Sequence, residues 1–224
     1  MNRNERTGFD LDEVDRLLKT TKQVRQRLDL SRPVPHELLL ECIDLASHAP
    51  MGSNLQRNRW MIIDDPDTMA TIAEVYSRIA GPYLDSNESM PLGDRQQRVI
   101  ESARFLLDHL AEVPAMVLSM RLDRPAIKLS QGVLAGYYGS VVPGIWSFQL
   151  AARSRGIGSA WTTLHLEAED EIAQLLQIPA TVTQVALLPV GYYTGDSFTP
   201  APRRPAREIT SHNRWKNPFP NPSA

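Results

Sequence analysis

The sequence predicts an α+β or α/β layered domain in which helices flank a mixed β-sheet. Helical segments outnumber strands, and helices separate most of the strands. The stretch 137–166 contains a helix that is apolar on most of its circumference, then a glycine turn and a short extended segment. A helix of this kind is normally buried in a core or an obligate interface. We therefore expect the functional site beside this stretch.

Hydrophobic periodicity and terminal signals place the individual elements. Helices are predicted over residues 10–19, about 36–48, 67–79, 94–110, 140–152 and 167–176, and strands over 59–64, 115–120 and 182–190. Gly156 is expected to end the central helix in a left-handed conformation, before the extended segment that reaches Leu164. The turn formers from Gly81 to Gly93 indicate a mobile lid, and residues 123–131 an irregular region.

The bulk composition narrows the class of protein. The 224 residues carry a net charge of −2, which predicts one large domain and neither nucleic-acid nor membrane binding. The single Cys42 lies on an apolar helical face and is expected to be a core thiol. The five histidines lack metal-ligand spacing, so no metal site is predicted. The charged N-terminus, with no apolar run behind it, predicts a cytoplasmic location.

Two basic groups are candidates for binding an anion. The first contains Lys22, Arg25 and Arg27, and positions 22 and 25 would share a face if the segment were helical. The second, Arg203-Arg204, lies between prolines that stiffen the backbone. Arginine matches the oxygens of a phosphate, so a phosphate site and a solvated basic surface are the two interpretations.

The remaining motifs are weaker. Residues 49–56 form either an ordinary turn or a loop that binds a planar heterocycle. In the second case, the side chains of Asn54 and Gln56 would form hydrogen bonds with the edge of the ring. Gly156-Ile157-Gly158 follows a helix and lacks a third glycine, so it indicates close backbone packing and not a dinucleotide site. His165 either faces a cofactor or is structural. No catalytic nucleophile or acid–base residue stands out.

In this order, the motifs resemble those of the FMN-dependent nitroreductase family, from about Leu17 to Ile209. The resemblance is carried by five segments. They are Lys22–Arg27, Ala49–Gln56 before a strand with Trp60, Leu150–Ser159, Leu176–Pro179 followed by a strand to Tyr192, and Pro202–Pro205. It departs from the family where Thr21-Lys22-Gln23 replaces two arginines and a serine, and where Met51 replaces a serine.

The resemblance implies an α+β fold, an intertwined homodimer and FMN at the subunit interface. Residues 1–224 would form one domain, with a flexible segment 1–9 and an extension 194–224 that embraces the partner. By analogy, Lys22, Arg25 and Arg27 would approach the phosphate and ribityl chain, with Arg203 or Arg204 completing the phosphate site. Thr163 and Leu164 would lie along the ring system. The loop of the other subunit would supply Met51, Gly52, Ser53, Asn54 and Gln56.

The implied activity is electron transfer from NAD(P)H to a small planar acceptor, a nitroaromatic or a quinone, by a ping-pong mechanism. FMN carries the redox chemistry, which agrees with the lack of catalytic side chains. One alternative is another flavin reaction on the same fold, either flavin fragmentation or reductive dehalogenation. A second alternative is a non-catalytic flavin-binding protein.

Overall fold

The structure of the protein, a computed structural model, describes residues 8–88, 93–125 and 128–219. The chain divides into two compact units, one formed by residues 21–196 and the other by residues 1–20 with 197–224. In the described residues of the smaller unit, α1 (Leu11–Thr20) and α8 (Ala206–Ile209) are the helices. The prolines of the tail explain why α8 is only one turn long.

The larger unit contains six α-helices and four strands in its described residues. In chain order these are α2 (His36–Ser47), β1 (Asn58–Ile63), α3 (Pro66–Glu88), α4 (Asp94–Asp108), β2 (Ala115–Arg121), α5 (Gln131–Gly139), α6 (Val142–Ser154), β3 (Ile157–Ser159), α7 (Glu169–Leu175) and β4 (Thr183–Tyr192). The predicted α+β fold and most of the predicted elements are therefore confirmed.

The strands form one sheet with the order β1-β2-β4-β3. Every pairing between these strands is antiparallel, where the sequence predicted a mixed sheet. The α3–α4 helical pair connects β1 to its antiparallel neighbour β2, so helices between strands did not require parallel strands here. The two central strands, β2 and β4, are buried along almost their whole length.

The core lies between the sheet and the two helices α2 and α6. Leu39 and Cys42 of α2 and Ile145 and Phe148 of α6 are fully buried there, against alternate residues of the central strands such as Val117. The expectation that Cys42 is a core thiol is confirmed. On α6, Val142 and Trp146 stay partly exposed, so this helix presents a second apolar side that the core does not cover.

Two helices differ from the sequence prediction. Helix α3 does not end at Ile79 but continues through Gly81 and Pro82 to Glu88, so the first part of the predicted lid is helical. Burial of Ala80 and Leu84 explains why the helix continues past two residues that usually interrupt one. Residues 89–92 of the lid lie outside the described residues. Helix α5 was not predicted as a separate element.

The glycine turn after α6 has the predicted geometry. Gly156 has a φ of +79°, the left-handed conformation that terminates many helices. Gly158 lies so close to another segment that an added Cβ would be 2.8 Å from Cγ1 of Val24 and 2.9 Å from its Cβ. The expectation of close packing is confirmed. The segment that packs against Gly158 is the basic segment that contains Arg25.

Candidate active site

A cavity of about 290 Å³ lies between helices α3 and α4 and the segment that follows β3. It brings together three of the predicted site residues: Arg25, Thr163 and Leu164. The rest of its lining is mostly apolar or aromatic, and consists of Tyr76, Tyr83, Leu84, Val99, Ile100, Ala103, Leu106, Trp161 and Thr162. Such a lining, with a few polar groups, is typical of a site for a small planar molecule.

Backbone pairing fixes the basic segment against the edge of the sheet. The N–H of Val24 donates to the carbonyl of Ser159 at 2.9 Å, and the N–H of Trp161 donates to the side-chain carbonyl of Gln23. The segment is not helical, because β3 and the residues after it bind it in irregular form, so the condition for positions 22 and 25 to share a helical face is not met. Arg25 is held beside Thr163 as a result.

Arg25 has the electrostatic character of an anion site. Its side chain is half-buried, and burial lowers the pKa of its guanidinium from the ordinary value. No carboxylate of the described residues forms an ion pair with it. A partly desolvated guanidinium without a carboxylate gains stability from a phosphate or another anion.

Tyr76 is a site residue that sequence reasoning missed. It is 7% exposed and lines the cavity together with Arg25 and Thr162. Burial raises the pKa of the phenol, while Arg25 and Thr162 oppose that rise, so the hydroxyl is protonated at neutral pH. The hydroxyl of Thr162, which also lines the cavity, donates a hydrogen bond to the carbonyl of Leu187 at 2.9 Å.

Arg27 and Lys22 do not line the cavity. The guanidinium of Arg27 donates to the carbonyl of Thr194, with Nε at 2.6 Å. The backbone at Gly195, which has a φ of +77°, lies close to this side chain. An added Cβ there would be 2.7 Å from a guanidinium nitrogen. Lys22 is exposed. The role of these two residues at a phosphate stays a prediction.

The loop from Met51 to Gln56 is an exposed turn outside the cavity lining. Gly52–Asn54 forms a 3₁₀ turn in which Ser53 and Asn54 have φ values of 55° and 52°. The N–H of Gly52 donates to the hydroxyl of Ser140 at 2.9 Å, which fixes the turn against the end of α5. A turn that does not reach the cavity of its own chain is compatible with a role toward a second subunit, which stays a prediction.

Arg203 and Arg204 belong to the smaller unit, and both are exposed there. Arg204 pairs with Glu208 at 3.3 Å, and Arg203 donates to the carbonyl of Pro202 at 3.0 Å. Their predicted contribution to a phosphate site stays a prediction.

His165 follows the cavity-lining residues and is fully buried. Neither ring nitrogen has a hydrogen-bond partner among the described residues, and burial lowers its pKa to about 4. It is a neutral histidine that does not line the cavity, which favours the structural interpretation.

No group of three metal-ligating side chains occurs in the described parts of the chain. Within those parts, no helix has both the length and the apolar character needed to cross a membrane.

Comparison with known proteins identifies the same family as the sequence motifs. The model described as "Nitroreductase family" matches residues 18–192. An iodotyrosine deiodinase of Thermotoga neapolitana is 26% identical over 201 residues, covering 86% of this chain and 93% of that protein. An iodotyrosine deiodinase of Danio rerio is 24% identical, and the match covers 77% of this chain but only 58% of that protein.

Among solved structures, an iodotyrosine deiodinase bound to FMN and 3-iodo-L-tyrosine superposes with a TM-score of 0.64. It is 24% identical, and the match covers 88% of this chain and 97% of that one. At this identity the likeness concerns the fold.

Proposed function

Because the chain belongs to the nitroreductase family, we propose that it is an FMN-dependent oxidoreductase that transfers electrons from NAD(P)H to nitroaromatic or quinone acceptors by a ping-pong mechanism. The observation that carries the proposal is the half-buried Arg25 in an otherwise largely apolar cavity, with no carboxylate partner among the described residues. A flavin phosphate or the electron-rich edge of a flavin ring supplies the negative charge that this arrangement favours.

The residues present fit FMN. Arg25 would bind its anionic part, and the backbone at Thr163 and Leu164 would lie along the ring system, with Lys22, Arg27, Arg203 and Arg204 as further cationic candidates. When bound, FMN supplies the two-electron redox chemistry for which the chain offers no side chain. Met51, Gly52, Ser53, Asn54 and Gln56 would contact the flavin of the partner subunit.

The protein's own contribution is position and exclusion of water. Leu84, Ile100 and Leu106 give the cavity an apolar wall, and the rings of Tyr83 and Trp161 suit a flat aromatic molecule. A donor and then an acceptor would occupy this one space in turn, which is the physical basis of a ping-pong mechanism.

The proposal includes a homodimer. Large apolar side chains are exposed on α2, α5 and α6, including Leu40, Val133, Tyr138, Val142 and Trp146. Val142 and Trp146 are one turn apart on α6 and share a face. A second copy of the chain would cover such a face and bring the Met51–Gln56 turn to the other cavity.

A Trp146→Glu variant tests the dimer, because a charge in an apolar interface opposes association. Sedimentation should show two chains for the natural protein and one for this variant. Val14→Glu is the matched control, since Val14 is exposed to the same degree but lies on α1, which the proposal does not place in the interface. A natural protein that sediments as a monomer at micromolar concentration contradicts the dimer.

Reductive dehalogenation is the second candidate, favoured by the names of the relatives. A halogenated tyrosine is a zwitterion, whose ammonium group needs a carboxylate when it is desolvated. No Asp or Glu is among the described residues that line the cavity. The lining therefore supports an acceptor without an ammonium group, so we propose nitroaromatics and quinones before a halogenated tyrosine.

The test is an anaerobic absorbance titration of the purified, FMN-loaded protein with NADPH and then NADH. We expect one donor to bleach the flavin spectrum rapidly, and a nitroaromatic or a quinone to restore it. Restoration by 3-iodo-L-tyrosine, with release of iodide, would favour the second candidate. Failure to bind FMN contradicts both. Arg25→Ala should weaken FMN binding at least tenfold, whereas Arg32→Ala should not, because Arg32 stacks on Tyr192 outside the cavity.

A further inference from the structure

The cavity has a floor and a mouth at opposite ends of the wall that α3 and α4 form. On α4 the lining side chains become more exposed toward the beginning of the helix, since Leu106 is 2% exposed, Ala103 is partly exposed and Val99 is 53% exposed. On α3 the exposure rises from 7% at Tyr76 to 54% at Tyr83. The floor is therefore near Leu106 and Tyr76, and the mouth is near Val99 and Tyr83.

The size of the cavity means that a long ligand must extend through this mouth. Its volume of about 290 Å³ is at the lower limit of the usual range for small-molecule sites, which is about 300–1,000 Å³. A nicotinamide dinucleotide consists of two nucleosides joined by a pyrophosphate. Under the proposed function its nicotinamide ring would enter the cavity, and its adenosine half would stay outside. The side chains just beyond the mouth therefore face the adenosine.

Arg95 is the cationic side chain that α4 places just beyond the mouth. Successive residues of an α-helix turn by about 100°, so residues three, four and seven apart share a side. Val99, Ala103 and Leu106 define the cavity side of α4, and Arg95 precedes Val99 by one turn on that side. A rise of about 1.5 Å per residue puts Arg95 about 6 Å beyond Val99 along the helix axis. Its long side chain can therefore reach a group at the mouth.

The positive charge of Arg95 is available to a ligand. The residue is exposed, and its guanidinium forms no ion pair or hydrogen bond with the residues that the structure describes. Helical spacing puts Asp94 and Glu101 on the side of α4 that faces away from the cavity. Asp85, near the mouth on α3, is already paired with Arg104 at 2.5 Å. These carboxylates therefore do not neutralise Arg95.

We propose that Arg95 binds the 2′-phosphate of NADPH, so that NADPH and not NADH is the electron donor. This inference rests on the proposed function, which requires one of the two donors. NADPH carries a phosphate on the adenosine ribose where NADH has a hydroxyl group. A guanidinium matches the oxygens of a phosphate, whereas sites for the hydroxyl commonly supply a carboxylate. Over its described length, residues 94–108, the cavity side of α4 offers the arginine and no carboxylate.

The first test is anaerobic stopped-flow reduction of the FMN-loaded protein by NADPH and by NADH. We expect the second-order rate constant of the natural protein to be at least tenfold higher for NADPH. Arg95→Ala should lower this ratio about tenfold and leave the rate with NADH unchanged, because one charge-assisted contact is lost. Arg95→Lys should lower it less, because it keeps the charge but loses the fork of the guanidinium. Arg98→Ala is the matched control, since Arg98 is exposed on the same helix, has no partner among the described residues, and lies off the cavity side.

The second test needs no electron transfer. The probes are 2′,5′-ADP and 5′-AMP, which differ only in the 2′-phosphate, and their dissociation constants are measured by NMR titration, which can follow weak binding. The natural protein should bind 2′,5′-ADP about tenfold more tightly than 5′-AMP. This preference should disappear in Arg95→Ala and persist in Arg98→Ala. Added salt should reduce it, because the contact is between exposed charges.

The outcomes separate this inference from the proposed function. A natural protein that is reduced by NADH as fast as by NADPH overturns the inference and leaves the proposed function standing. An unchanged ratio in Arg95→Ala does the same, as do equal losses in Arg95→Ala and Arg98→Ala, which would indicate a general effect of surface charge. A protein whose flavin neither donor reduces overturns the proposed function, and the titrations with 2′,5′-ADP and 5′-AMP then decide alone whether Arg95 binds a 2′-phosphate.

Discussion

The contact between Gly158 and Val24 supports the sharpest prediction about this fold. An alanine at position 158 would place its Cβ 2.8 Å from Cγ1 of Val24, 2.9 Å from its Cβ and 3.1 Å from Cδ2 of Leu28. Carbon atoms in contact normally lie about 3.5–4.0 Å apart. Val24 is 3% exposed and its N–H is bonded to Ser159, so it has no open space to move into.

Gly158→Ala should therefore force β3 and the basic segment apart by several tenths of an ångström. Overpacking of this kind costs about 1–3 kcal/mol in the free energy of unfolding. Because Arg25 directly follows Val24, the same displacement should weaken FMN binding about tenfold under the proposed function. Urea unfolding at fixed protein concentration measures the first effect, and flavin fluorescence measures the second.

Two further variants make the cause identifiable. Gly136→Ala is the matched control, because Gly136 is exposed within α5 and an added Cβ meets nothing within 4 Å. That change should stabilise the protein by about 0.5–1 kcal/mol. Val24→Ala removes the 2.8 Å contact but keeps the 2.9 Å one. Combined with Gly158→Ala, it should recover about 1 kcal/mol relative to the sum of the single changes. Strictly additive costs would refute the steric explanation.

Three other predictions follow from local environments. Burial lowers the pKa of His165 to about 4, so the unfolded state takes up a proton before the folded state does as the pH falls below about 6.5. This group should therefore lower the free energy of unfolding by about 2 kcal/mol between pH 7.5 and 5. Urea titrations should show that the free energy of unfolding of His165→Leu changes less with pH over this range. Gly195→Ala should lower the free energy of unfolding by about 1–2 kcal/mol from its φ of +77°, in addition to any cost of moving the Arg27 side chain away from the new Cβ. Gly195→Asn adds the same Cβ but tolerates this φ better, so it should cost less, and equal costs in urea unfolding would contradict the backbone explanation. Asp123 accepts hydrogen bonds from Arg121 and Arg57, and the bond from Arg121 is the main reason that the pKa of its carboxyl is lowered. The stability that Asp123 contributes is therefore present above pH 4 and lost as the pH falls further. In Asp123→Asn, the free energy of unfolding should depend less on pH in that acid range, as measured by urea unfolding.

Local rules predicted the elements whose ends are determined by neighbouring residues. The start of α2 after Pro35 and the end of α6 at Gly156 both follow from backbone preferences that act over a few residues. The α+β class followed from the alternation of helical and extended patterns. These features needed no knowledge of which segments meet in space.

The errors arose where distant segments decide the outcome. Gly81-Pro82 predicts a break, yet burial of Leu84 in the fold keeps α3 helical to Glu88. Tyr76 carries no local signal at all, because its importance comes from the cavity that it lines with Arg25 and Thr162, which are distant in the chain. Of the predicted site residues, Arg25, Thr163 and Leu164 share one cavity. The others lie outside its lining, and their roles depend on the cofactor or a second chain.

The position of β3 explains why the basic segment is irregular. As the last strand of the sheet, β3 pairs with β4 on one side and would expose its other side to solvent. Residues 24–29 bind to this edge, through Val24 to Ser159, and to the end of β4, through Asp29 to Tyr192 at 2.7 Å. The backbone donors of Val24 and Asp29 are therefore not available for a helix.

The sheet edge and the proposed anion site are consequently one structure. A three-residue strand has few hydrogen bonds of its own, so pairing with residues 24–29 stabilises β3, and β3 in turn positions Arg25. We expect local opening of this edge to cost less than global unfolding, because a short edge strand has few hydrogen bonds to break. Changes that loosen the edge should therefore weaken FMN binding at denaturant concentrations where the α2–α6 core is still folded, and cofactor loss should precede the unfolding transition.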